Sequence, residues 1–106
     1  MTSSLETHPA KRVEIIVEAV MERRLSGALE EAGVTGWTVL PVLGGSGRSG
    51  RWSREGQVAR TGLVMIVCIV REEAVEALVK AAFAVVERHI GLVDVSDCRV
   101  VRAERF

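Results

Sequence analysis

The chain of 106 residues has no tyrosine, two tryptophans, two phenylalanines, two cysteines and two histidines. So few histidines and cysteines leave little material for acid–base, nucleophilic or metal chemistry. His8 lies in a polar N-terminal stretch, and His89 is expected at a helix end, where it interacts with the helix dipole. Cys68 and Cys98 lie in apolar runs without metal-ligand spacing, so both are predicted to be reduced, structural residues. We therefore predict no catalytic residue, no metal site and no enzyme activity.

The sequence also lacks an excess of either charge and any long hydrophobic run. Its 14 Lys and Arg residues match its 14 Asp and Glu residues, whereas dedicated nucleic-acid binders carry a basic excess. The longest apolar run, residues 63–70, has the length of a strand and is too short to span a membrane. The first residues lack the basic start and apolar core of a signal peptide. We expect a cytoplasmic protein with a disordered tail over residues 1–10 and one domain over residues 11–106.

Hydrophobic periodicity predicts four strands and two helices. Gly33 is predicted to end the first helix as its C′ residue, and Pro41 places the second strand at a sheet edge or a bulge. The last strand is expected to contain a bulge near Asp97 or to be divided there into two short strands. The predicted ranges are strand 12–20, helix 21–32, strand 37–43, strand 63–70, a helix from 72 to 89 or 90, and strand 92–102.

The order βαββαβ is that of the ferredoxin-like split motif, an α+β fold. In this fold the first and third strands are central, which agrees with a third strand that is apolar on both faces. Two helices cover one face of the sheet, and we expect Ile16, Ile66 and Cys68 on the other. Because large exposed apolar patches are rare on monomers, the chain is predicted to assemble through that face.

A long loop rich in glycine and arginine separates the second and third predicted strands, over residues 44–60. Four arginines and Glu55 give this loop a net charge of +3 in a neutral chain. Glycines allow close backbone approach to a ligand, and free backbone N–H groups form anion-binding concavities. A compact domain rarely keeps such a loop without a function, and we interpret it as an anion-binding loop.

Two phosphate-loop motifs are excluded by their context. Residues 45–50 read GSGRSG, which formally matches G-x-G-x-x-G and follows a strand. The following residues offer no amphipathic helix whose N-terminus could hold a phosphate, and no Lys followed by Ser or Thr completes a Walker A loop. Trp52 within the loop could stack on a base or cover a partner, and it could equally pack against the domain or a neighbouring subunit.

Two segments resemble the PII signal-transduction family. Residues 30–39 read EEAGVTGWTV and residues 45–48 read GSGR, and they are similar to the family's helix end, second strand and T-loop start. The resemblance covers residues 11–102. It implies a ferredoxin-like homotrimer that binds adenine nucleotides in clefts between subunits and signals to partners through the T-loop, here residues 44–60.

The resemblance also implies which residues bind the nucleotide. Thr38 matches the threonine near the adenine, and the other matched positions are those that meet the phosphates through arginine forks or bare backbone N–H groups. These phosphate positions are Gly47, Arg48, Gly91, Arg102 and Arg105.

Several departures from the family pattern change the expected ligands. The loop has no tyrosine, so uridylylation of the usual kind is not expected. Ser49 and Met65 stand near the family's glutamine and lysine of the magnesium and 2-oxoglutarate site, which makes 2-oxoglutarate chelation doubtful. Asp94 stands near a phosphate-binding lysine and would repel a γ-phosphate. This predicts ADP or AMP rather than ATP.

Other segments are most similar to the carboxysome-associated PII-like branch: Trp37, the glycine run 44–50, RWSREG at 51–56 and the AERF ending. That resemblance implies inorganic-carbon handling and binding of ADP or AMP together with bicarbonate, a planar anion suited to an arginine fork. The bicarbonate candidates are Ser46, Arg48 and Arg60. The ordered loop is expected to present Arg51, Trp52 and Arg54 to a bicarbonate transporter or carboxysome component.

The alternative function is an interaction module. In it the arginine loop binds a protein or an RNA without a small-molecule effector. An acylphosphatase-like enzyme on the same fold is a third hypothesis, and it lacks an identifiable acid, base or nucleophile.

Overall fold

A computed structural model of the chain describes residues 5–47, 50–53 and 62–101. Short 3-10 turns, Ala19–Met21 and Glu72–Ala74, precede the two helices. The elements in chain order are β1 (His8–Glu18), α1 (Glu22–Glu31), β2 (Thr38–Val42), β3 (Gly44–Gly47), β4 (Gly50–Ser53), β5 (Leu63–Val70), α2 (Val75–Val86) and β6 (Gly91–Val100).

Four strands form one antiparallel sheet in the order β2-β5-β1-β6. This is the sheet order of the predicted ferredoxin-like α+β fold, with the first and third predicted strands, β1 and β5, at the centre. Among the described strands, β2 pairs with β5 alone, so Pro41 lies in an edge strand, where its missing N–H is tolerated. In the described part of the chain, no helix is long and apolar enough to cross a membrane.

Both helices pack on one face of the sheet. Residues opposite each other in a ladder share a face, and β1 pairs Val13 with Cys68 and Ile15 with Ile66. All four side chains are fully buried and belong to one core cluster with the apolar stripes of α1 and α2. The prediction that Ile66 and Cys68 lie on the uncovered face is therefore wrong, because the pairing register turns both of them toward the helices.

The opposite face of the sheet, here called the open sheet face, carries no helix of the described chain. Ile16 lies on it, as predicted, opposite Met65 of β5 and Leu92 of β6. Leu40 of β2 and Leu92 are 43% and 55% exposed. The register also places on this face the side chains of Arg12, Glu14, Thr38, Val67, Ile69 and Asp94.

The end of α1 is fixed by Gly33, the predicted C′ residue. Its φ of 91° lies in the left-handed region, which glycine adopts without a Cβ penalty. The Val34 N–H donates to the Leu29 carbonyl at 3.0 Å, and the Gly33 N–H donates to the Glu30 carbonyl at 3.0 Å. This turn directs the chain from α1 across the sheet end and into β2.

Two strand predictions need correction. β1 begins at His8 rather than at residue 12, so residues 8–10, which were predicted to belong to the tail, belong to the sheet. The ladder with β5 starts at Lys11, so Pro9 has a described partner strand on one side alone, β6. Its missing N–H is therefore tolerated. β6 pairs with β1 without interruption from Gly91 to Val100, so the predicted bulge near Asp97 is wrong. Asp97 stays in register because it lies opposite Lys11, whose ammonium donates to its carboxylate.

The glycine-rich segment is not structureless where the structure describes it. β3 and β4 form a separate antiparallel ribbon, in which Gly44 pairs with Ser53 and Gly47 with Gly50. The expectation of an irregular loop is therefore wrong for these residues. Residues 48–49 and 54–60 of the predicted loop lie outside the described residues.

Candidate functional site

A cleft of about 840 Å³ opens where α1 leads into β2. Its walls come from three places: the turn after α1, the end of β5 together with the 3-10 turn before α2, and the end of β6. The lining residues are Ala32, Gly33, Val34, Thr35, Gly36, Trp37, Thr38, Val67, Ile69, Val70, Arg71, Glu73, Ala74, Val100 and Val101. The cleft thus collects chain segments that are far apart in sequence.

The chemistry of the cleft is a mainly apolar wall with a few polar groups at its border. Valines and Ile69 supply the wall, and the half-buried Trp37 lines the cleft and packs against the core. The polar side chains among the lining residues are those of Thr35, Thr38, Arg71 and Glu73. An apolar cavity with a few placed polar groups is typical of small-molecule sites and suits a flat heterocycle with polar edges.

An ion cluster lies beside this cleft, at the 3-10 turn Glu72–Ala74 that precedes α2. The Lys11 ammonium contacts the carboxylates of Asp97 and, at 3.3 Å, of Glu72. The hydrogen bonds to Asp97 and Glu72 raise the pKa of Lys11 above its ordinary value. The cluster links β1 and β6 to Glu72, whose neighbours Arg71 and Glu73 line the cleft, but the Glu72 and Asp97 side chains are largely exposed, so it contributes little stability.

Of the three predicted nucleotide-binding residues that the structure describes, Thr38 lines this cleft and the two glycines do not. Gly47 ends β3 and Gly91 begins β6, and neither lines the cleft. Thr38 and Gly91 lie on opposite edge strands with β5 and β1 between them, a separation across the sheet of about 14 Å. Within one chain, these predicted residues do not converge.

Gly91 has a structural role that sequence reasoning missed. A Cβ at this position would lie 2.5 Å from the Ile16 carbonyl oxygen and 2.8 Å from Val86 Cγ1. The strand β6 can therefore approach β1 and the end of α2 only without a side chain here.

The remaining predicted residues fall into two groups. Ser46 lies in β3, opposite Arg51 in the ribbon, and Trp52 lies in β4 opposite Gly45; for β4 only the backbone is described. Arg48, Arg54, Arg60, Arg102 and Arg105 lie outside the described residues.

Asp94 is not in a phosphate loop. It lies inside β6, opposite Glu14 of β1, on the open sheet face, and it does not line the cleft. The argument that Asp94 repels a γ-phosphate is therefore not supported by its position in a single chain.

Sequence reasoning also missed Arg71, Glu73 and the valines at the end of β6. The sequence did contain a signal for Arg71 and Glu73, because these polar residues directly follow the buried strand β5. Residues in the segments that follow strands commonly form functional sites. Val100 and Val101 gave no signal, since their place in the cleft depends on the sheet order.

The fold is that of a ferredoxin-like α+β protein, with a cleft at the start of β2 and a glycine-rich ribbon that follows the other end of that strand. The family described as nitrogen regulatory protein P-II matches residues 10–105, and the chain belongs to this family. Its members are signalling regulators. No curated protein is significantly similar to the chain.

Solved structures of PII-like proteins are similar to the whole chain. CPII from Thiomonas intermedia K12, described as bound to ADP, AMP and bicarbonate, is 32% identical with a TM-score of 0.86, covering 97% of this chain and 98% of CPII. A second CPII structure, bound to ADP and bicarbonate, is 34% identical with a TM-score of 0.82, covering 97% and 99%. A PII-like signalling protein from Thermus thermophilus is 24% identical with a TM-score of 0.75, covering 95% and 98%, and shows the shared fold.

Proposed function

We propose that this protein is a non-enzymatic, cytoplasmic regulator that binds ADP or AMP and bicarbonate and controls inorganic-carbon uptake or carboxysome function. The observation that carries the proposal is the similarity over 97% of the chain to CPII bound to ADP, AMP and bicarbonate. The cleft beside Thr38 supports it, because an apolar wall with polar border groups suits an adenine ring. The preference for ADP or AMP over ATP rests on those CPII ligands and no longer on Asp94.

A homotrimer formed through the open sheet face is part of this proposal. Leu40 and Leu92 are exposed on that face, and Ile16 and Met65 lie between them on the central strands. Apolar sheet faces of this kind are normally covered, and further copies of the chain are the proposed cover. Assembly would also bring Thr38 and Gly91 into one site despite their separation within a chain, because the two walls of a cleft between subunits come from different copies.

In the assembled cleft, Thr38 would hydrogen-bond the adenine. Gly47 and Gly91 would offer backbone N–H groups to the phosphates, and Arg48, Arg102 and Arg105 would hold them as bidentate donors. The backbone N–H of each glycine can approach an anion closely because no side chain intervenes.

Bicarbonate would bind through Ser46, which lies in β3 of the ribbon, together with Arg48 and Arg60. Fixing a residue costs about 1–2 kcal/mol of backbone entropy, so a small anion orders the loop only when nucleotide and neighbouring subunit share that cost. Nucleotide and bicarbonate should then bind with positive, reciprocal coupling. The ordered loop would present Arg51, Trp52 and Arg54 to a bicarbonate transporter or carboxysome component.

Calorimetric titration tests the proposal. AMP, ADP and ATP are titrated with and without bicarbonate, and 2-oxoglutarate serves as the control effector. We expect ADP or AMP to bind, bicarbonate to tighten that binding, and Arg48→Ala to abolish it while the matched control Arg23→Ala, an exposed arginine on α1, does not. Tightest binding of ATP with 2-oxoglutarate would overturn the ligand assignment, and binding of none of these ligands would favour the interaction module.

A further inference from the structure

Three charged side chains form a cluster in the middle of the open sheet face. Glu14 of β1 and Asp94 of β6 are direct cross-strand partners, so their Cβ atoms lie about 5 Å apart on this face and their carboxyl groups are close enough to form a hydrogen bond to each other. Arg12 Nε donates to Glu14 Oε2 at 3.1 Å. Two carboxyl groups can form such a bond only when one of them keeps a proton.

The surroundings of this cluster leave one carboxylate without a counter-charge. Among the described residues, β5 and β2 contribute to this face only apolar side chains and the hydroxyl of Thr38. The register places His8 and Glu18 at the two ends of β1, far from the pair. Arg12 therefore supplies one positive charge against the two negative charges of Glu14 and Asp94.

Covering the open sheet face favours the protonated form of the Glu14–Asp94 pair. Burial, followed by the charge of Glu14, raises the pKa of Asp94 above its ordinary value, while Arg12 opposes the shift. A raised carboxyl pKa means that the protonated form is favoured, so the stabilisation is present at low pH and is lost as pH rises through that pKa. Covering the face with another copy removes more water and shifts the balance further in the same direction.

We infer that self-association through the open sheet face takes up protons, with Glu14 and Asp94 of each copy sharing one, so that the assembly tightens as the pH falls. This inference rests on the proposed homotrimer and adds to it a dependence on pH.

The test measures the trimer dissociation constant by sedimentation over a dilution series, at about pH 7.5 and about pH 5. For the wild type we expect the constant to fall by at least about tenfold at the lower pH. Asp94→Asn should remove most of this dependence, because its amide donates to Glu14 without needing a proton, and should assemble more tightly than wild type at about pH 7.5.

Two controls separate the pair from other titrating groups. His8→Gln removes the histidine on the same face and should keep the pH dependence. Asp97→Asn makes the same change on the same strand, on the helix-bearing side, and should also keep it. A trimer whose dissociation constant does not change with pH, or changes equally in Asp94→Asn, overturns the inference and leaves the proposed function intact. A chain that stays monomeric at both pH values overturns the trimer itself, and nucleotide titration then shows whether ligand binding survives.

Discussion

Replacing Gly91 by alanine should destabilise the protein through packing alone. The added Cβ would lie 2.5 Å from the Ile16 carbonyl oxygen and 2.8 Å from Val86 Cγ1. Ile16 cannot move easily, because β1 is held by ladders on both sides. Val86 lies in the last turn of α2 and has a stiff χ1.

The expected loss follows from this overlap. Overpacking of a well-packed site costs about 1–3 kcal/mol. The cost of Gly91→Ala should lie in the upper part of this range, because the Ile16 carbonyl oxygen belongs to the backbone and cannot rotate away. For a domain of this size each kcal/mol lowers Tm by about 4–8 °C. We therefore expect a fall in Tm of roughly 5–20 °C, measured by thermal unfolding at one fixed protein concentration, because assembly makes Tm depend on concentration.

A matched substitution controls for the change from glycine to alanine. A Cβ at Gly36 meets nothing within 4 Å, so Gly36→Ala should leave stability within about 1 kcal/mol of wild type. If Gly91→Ala melts within about 1 °C of wild type, the close approach of β6 to β1 is not a constraint. Titrating ADP well below the lowered Tm then separates the packing role of Gly91 from its proposed contact with phosphate.

Three further predictions test the core and the ribbon. Burial raises the pKa of the Cys68 thiol to about 11, so near neutral pH a thiol reagent should label only the half-buried Cys98 in the folded protein, and fast labelling of both would contradict the buried position. Leu78→Ala removes a fully buried side chain of α2 and should lower the free energy of unfolding by about 2–5 kcal/mol in urea titration. A Cβ at Gly47 would meet no neighbour within 4 Å, so Gly47→Ala should keep stability within about 0.5 kcal/mol. Because alanine keeps the backbone N–H, unchanged ADP affinity in this variant would refute a close approach of the phosphate that needs glycine.

The sequence predicted those parts of the fold in which a residue type or a hydrophobic pattern is compatible with only one local structure. Strand β5 runs from Leu63 to Val70, as predicted, because a run that is apolar on both faces belongs at the sheet centre. Gly33 and Pro41 were interpreted correctly because a left-handed helix cap and a missing N–H leave few alternatives.

The parts that were missed depend on a partner segment elsewhere in the chain. The ribbon of β3 and β4 forms from glycines whose strand state comes from backbone pairing and not from side-chain preference. Ile66 and Cys68 sit in a run without alternation, so only the register with β1 decides which face they occupy. Resemblance singled out Thr38 but not the cleft beside it, because the other walls of the cleft depend on the sheet order.

Strand β2 connects the two parts of the candidate site and limits how one chain can use them. Thr38, the first residue of β2, borders the cleft. Val42 is the last residue of the strand, and Leu43 connects it to the ribbon. All five residues of β2 pair with β5, so the cleft and the ribbon are held roughly 17 Å apart by a rigid strand. A ligand seated beside Thr38 is therefore expected to meet the ribbon of a neighbouring copy and not its own. If so, bicarbonate should tighten nucleotide binding only at protein concentrations at which the trimer is assembled, and coupling that persists in dilute monomer would place both ligands on one chain.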